Sequence, residues 1–177
     1  VAVFQIIITM KKALVVVDMQ RKLTSNPKLF NANQLINSVN DAIQKFRQNS
    51  NPIIFIQHNN KILMANSPGW QIDNRLNRLP SDIIIQKKHG NAFQKTELKL
   101  LLDEMGINEL VFCGISSHGC VKYSCLGSIE NNFNTFLLKK GHSCWNKNAK
   151  ELIEKTEQEL TEKGVRLVST EELTGSE

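Results

Sequence analysis

Apolar and polar positions alternate in blocks along this chain. Ala13–Asp18 is a β-branched run with no polar break before Asp18, the pattern of a strand buried on both faces. From 33 to 49, Leu35, Ile36, Val39, Ala42, Ile43 and Phe46 recur at helical spacing, which predicts an amphipathic helix. Asn51-Pro52 ends it, and Ile53–Ile56 is a second buried strand. The stretch from Gln57 to Pro80 is polar and lacks a period, so it is a long loop of the kind that often carries function. The pattern then predicts strands at Asp82–Ile85, Leu110–Cys113, Thr135–Leu138 and Val165–Val168. Helices are predicted at Thr96–Met105, after Cys120, and at Asn148–Glu162, with Thr96 as a cap and Gly106 and Gly164 as stops.

Strict alternation of strand and helix implies right-handed crossovers and a parallel sheet covered by helices. The expected fold is α/β, three layers (α/β/α) around a six-stranded, mostly parallel sheet. One domain is expected over residues 11–170. Residues 1–10 read as an N-terminal extension or start, and residues 171–177 as a frayed acidic tail.

In such sheets chemistry gathers beyond the C-terminal strand ends. That rule selects Asp18 after strand one, His58 after strand two, Lys87 and Lys88 after strand three, Cys120 after strand four, and His142 after strand five. Cys120 follows a tight turn and opens a helix, where free N–H groups and the dipole favour a thiolate. A carboxylate, an ammonium and a thiol on one edge suit nucleophilic catalysis. Asp18 would take the thiol proton, a lysine would hold the charged pair, and the backbone N–H groups of Ser116 and Cys120 would bind an oxyanion. A free cysteine is otherwise a small core hydrophobe, which is the reading for Cys113 and Cys125. Cys144 and Trp145 are expected at a subunit interface.

Composition removes several classes. The net charge of +5 comes from scattered lysines and arginines with no basic stripe, so nucleic acid is not an expected partner. Four unpaired cysteines without CxxC spacing suit a reducing compartment, and the cytoplasm is the expected location. No apolar run has the length to span a membrane. His58 has no neighbouring carboxylate or second histidine, so no metal or other cofactor is expected, and it reads as structural or pocket-lining. Trp70 reads equally as a wall of the substrate pocket or a loop anchor, and Ser117 as pocket-lining.

Three segments sharpen this. Leu14–Gln20, Lys87–Phe93 and Gly114–Val121 resemble, in order and spacing, motifs of the isochorismatase-like cysteine hydrolases, which include nicotinamidases and related amidases. Ser67–Trp70, Thr96 and Lys140–Ser143 add to the resemblance, which covers about residues 11 to 168. It implies Asp18, Lys87 and Cys120 as the catalytic triad, with Lys87 chosen because it precedes Ala92-Phe93 by five residues. It also implies a cis peptide at Ile115-Ser116, a small-molecule amide substrate, and a homodimer or homotetramer. Vinyl-ether hydrolysis is the alternative reaction, and a catalytically silent binding or assembly protein the alternative class. Asn91, Lys122, Tyr123, Cys125 and Lys140 depart from the usual pattern.

Overall fold

In a computed structural model, which describes residues 10–173, strands β1 (Lys12–Val17), β2 (Ile53–His58), β3 (Ile83–Lys87), β4 (Glu109–Ile115), β5 (Asn134–Ser143) and β6 (Arg166–Val168) form one sheet. Its order is β3-β2-β1-β4-β5-β6, and every pairing is parallel. The sheet is therefore wholly parallel rather than mostly so. The expectation for residues 1–9 lies outside the described residues. No helix among the described residues is long and apolar enough to cross a membrane.

The helices are α1 (Arg21–Thr24), α2 (Ala32–Gln48), α3 (Leu98–Glu104), α4 (Lys122–Glu130) and α5 (Ala149–Glu162). The period-two side-chain rule divides the core. Leu14 and Val16 of β1 pack with Leu35, Val39, Ile43 and Phe46 of α2 on one face. Ala13, Val15 and Val17 pack with Leu98, Leu102, Cys125 and Leu160 on the other. This is the predicted three-layer arrangement, and it explains why β1 is apolar at every position from Ala13 to Val17.

Two boundaries differ from the sequence reading. β5 runs on past Leu138 to Ser143, so Gly141 and His142 lie within it. The strand absorbs an irregularity: Phe112 pairs with Leu137, but Gly114 pairs with His142. Lys140 takes a left-handed conformation there (φ 61°). The second difference is the acidic tail. Glu171–Leu173 form a 3₁₀ turn and Leu173 is buried against the α2 face of the sheet, so an apolar anchor orders the first three residues of that tail, and the expectation for residues 174–177 lies outside the described residues.

β1 and β4 lie side by side at the point where successive strands begin to add on the opposite side. Doubly wound sheets open a crevice there, beyond the strand C-termini.

Candidate active site

Asp18 leaves β1 in a left-handed conformation (φ 52°), which aspartate tolerates better than most residues. Beside it β4 comes very close: a Cβ on Gly114 would sit 2.1 Å from the Val17 carbonyl oxygen, and Gly114 itself has φ 120°. Only glycine permits that approach. The next peptide, Ile115-Ser116, is cis. The Ser116 carbonyl then accepts the amides of Gly119 and Val121, wrapping Ser117–Val121 into one π-turn that runs into α4. Cys120 therefore lies at the entrance to a helix.

The register of β2 against β3 pairs His58 with Lys87. Lys87 is the last residue of β3, and its side chain has no exposed surface. Its ammonium lies 2.8 Å from Asp18 Oδ2, 2.7 Å from His58 Nδ1 and 3.4 Å from Cys120 Sγ. Four sequence-selected residues from four strand ends thus meet around one nitrogen. The other Asp18 oxygen, Oδ1, is buried and has no hydrogen-bond partner among the described residues. An unmatched buried acceptor costs about 1–3 kcal/mol, so its presence calls for an explanation.

The electrostatics favour a neutral resting thiol. Burial and, after it, the Asp18 carboxylate raise Cys120 while Lys87 offsets part of this, and the balance moves it from 9.0 to about 11. His58 is pushed below 6.5 by burial and by the Lys87 ammonium, which leaves its ring neutral to accept from Lys87. Asp18, His58 and Cys120 have donor atoms within 4.8 Å of one another, a spacing that would suit a metal ion. Lys87 Nζ already stands within hydrogen-bond reach of all three, so a cation would have to displace it.

The remaining expectations divide. Ser117 is fully buried and bonded to His142 Nδ1 at 2.9 Å, so it does not line a substrate pocket. Trp70 is a loop anchor: it is 8% exposed and its indole N–H donates to Asn59. It borders a cavity of about 500 Å³ with Arg21, Gln57 and Asp73, whose lining does not include Asp18, Lys87 or Cys120. Cys144 is buried, and the partly buried Trp145 donates its indole N–H to the Leu23 carbonyl. Among the departures from the usual pattern, Lys122 pairs with Glu159 on α5, and Cys125 is core.

Gln20 was not singled out by sequence reasoning. Its fully buried amide accepts from the His58 N–H and donates to the carbonyls of His58 and Trp70. It pins the end of β2 and the long loop together. The available signal was its place two residues after Asp18 in a conspicuous segment. Ser124 of α4 similarly binds Ala92 N, tying the segment after Lys87 to the helix after Cys120.

A parallel α/β sheet with a thiol, a carboxylate and an ammonium at its switch point defines a hydrolase-type site. The chain belongs to the isochorismatase family, whose isochorismatase domain model matches residues 12–172, and it is a hydrolase of that family. It is 29% identical over 131 residues to the uncharacterized isochorismatase family protein YddQ of Bacillus subtilis (strain 168), covering 70% of this chain and 73% of that one. Nicotinamidase 3 of Arabidopsis thaliana is 24% identical over 141 residues, covering 70% of this chain and 69% of that one. A crystal structure of an isochorismatase family protein superposes with a TM-score of 0.85 at 29% identity, covering 91% of this chain and 100% of that one.

Proposed function

We propose that this chain is a cysteine hydrolase that cleaves a C–N amide bond of a small molecule through a thioester on Cys120. The observation that carries the reading is the sealed Lys87 ammonium bonded to Asp18 and within reach of the Cys120 sulfur. The likeness to a nicotinamidase supports the bond type.

The chemistry runs as follows. Because the resting thiol is neutral, attack needs a base at the moment of reaction. The unpartnered Asp18 Oδ1 accepts the Cys120 proton as the sulfur adds to the substrate carbonyl. The developing oxyanion is held by the amides of Ser116 and Cys120. Asp18 then passes its proton to the departing nitrogen, the C–N bond breaks and a thioester remains. Water replaces the amine, Asp18 takes a proton from it, and hydroxide addition releases the carboxylic acid. The proton returns to sulfur. Lys87 keeps its charge throughout and holds Asp18 in place, while neutral His58 holds Lys87.

A screen of small amides and ureas for ammonia release tests the reading. Turnover that falls by about 10³-fold or more in Cys120→Ala supports it, on the scale seen when a catalytic nucleophile is removed. Retained turnover in that variant contradicts it.

A further inference from the structure

A second chain of polar side chains lies behind the cysteine turn. His142 Nδ1 is 2.9 Å from Ser117 Oγ, and His142 Nε2 is 3.2 Å from Glu157 Oε1 on α5. The His142 side chain is fully buried, while Glu157 is 22% exposed. A carboxylate accepting the Nε2–H leaves Nδ1 of a neutral ring to accept the Ser117 hydroxyl. The connectivity is that of a serine, base and acid relay, but Ser117 has no accessible surface and cannot meet a substrate. Its role must be sought in what it holds.

Ser117 is the first residue of the π-turn that carries Cys120, and it directly follows the carbonyl that accepts Gly119 and Val121. The irregularity in β5 is what delivers the histidine. Two steps along β4, from Phe112 to Gly114, are matched by five along β5, from Leu137 to His142. The extra chain turns out around Lys140 and brings His142 back beside Gly114, three residues before Ser117. Bulges near active sites commonly re-aim a side chain in this way. Glu157 and His142 also line a cavity of about 370 Å³ between α2, β5 and α5, whose lining does not include Asp18, Lys87 or Cys120.

We infer that His142, braced by Glu157, is a positioning residue that fixes the Cys120 turn through Ser117. The inference rests on the proposed role of Cys120. Catalytic geometry tolerates little displacement: an ångström of misplacement costs on the order of 10²-fold in rate.

A double-mutant cycle on kcat tests it. Ser117→Ala and His142→Ala should each lower kcat by about ten- to a hundredfold with KM changed less than about threefold, and the double variant should be no slower than the slower single variant. His142→Asn, whose side-chain oxygen can stand in for Nδ1, should recover most of the loss, whereas His142→Gln should not. Additive losses, or a loss confined to KM, would overturn the inference. Alkylation of Cys120 by iodoacetamide at pH 8 gives a readout that needs no substrate, so it separates this inference from the proposed reaction. Release of the turn should return the thiol toward its ordinary acidity and speed labelling by about tenfold in His142→Ala, or in Glu157→Gln if the alanine variant does not fold. Unchanged labelling in a folded variant would overturn positioning even if amide hydrolysis were established. Changed labelling without amide turnover would uphold positioning and count against the reaction.

Discussion

Cys125 and Cys120 stand five residues apart and live in opposite surroundings. Cys125, on α4, is sealed among Ala92, Leu98 and Leu137 in an apolar core, and burial, with a lesser push from Cys113, drives its thiol far above the ordinary value. Cys113, in the middle of β4, is equally sealed. Cys120 is half-buried at the sheet edge, where burial and Asp18 raise it while Lys87 lowers it, ending near 11. The difference teaches that nucleophilic potential here does not come from a thiol made acidic in advance. In the proposed mechanism it comes from Asp18 as base and Lys87 as a fixed cation, arranged for the instant the proton leaves. The helix entrance alone does not produce a resting thiolate.

The largest predicted contrast is kinetic. Cys120→Ala should remove turnover by about 10³-fold or more, while Cys125→Ala should leave kcat within about threefold and cost about 1–2 kcal/mol of stability, readable by urea titration. Next is the ion pair. Lys87→Ala leaves a buried carboxylate uncompensated and should cost about 3–5 kcal/mol, whereas Lys87→Met with Asp18→Asn should cost much less while remaining inactive. Equal losses for the two would show that the pair is not coupled.

Gln20→Ala should come third. It strips three hydrogen bonds from the His58 and Trp70 backbones and should cost about 1–3 kcal/mol by urea titration. A change below about 0.5 kcal/mol would remove it from the account of how His58 is placed.

The smallest effects are in pH. The raised Cys120 thiol contributes stability that is present below pH 9.0 and is lost as pH rises toward about 11. Cys120→Ala should therefore flatten part of the alkaline slope of the melting temperature. Lowered His58 works in the opposite direction: its contribution is complete above 6.5 and fades as pH falls below that value. His58→Gln should reduce the acid slope, and an unchanged slope would show that His58 does not titrate with folding.

Much of this arrangement was legible because it follows from periodicity and topology. Unbroken apolar runs marked strands buried on both faces, the strand-end rule then selected Asp18, His58, Cys120 and the pair Lys87-Lys88, and the family resemblance chose Lys87 from that pair. What remained hidden depends on single-residue events. His58 was legible as a residue but not as a partner of Lys87, because that contact arises from the β2–β3 register. Ser117 looked like a pocket residue, since a turn carries no period to say which side faces inward. The extension of β5 was hidden by Lys139-Lys140, which resemble a strand end but form an outward irregularity instead. Leu173 shows the same limit in the tail, where one apolar residue among acidic neighbours orders a turn.

The central claim is that Cys120 becomes acylated. The direct measurement is rapid acid quench of the protein during turnover of an amide substrate, followed by mass spectrometry of the peptide bearing Cys120. The account predicts an acyl adduct on Cys120 that disappears when substrate is exhausted and does not form in Cys120→Ala. Steady turnover with no adduct at any quench time, together with an active Cys120→Ala, would contradict it.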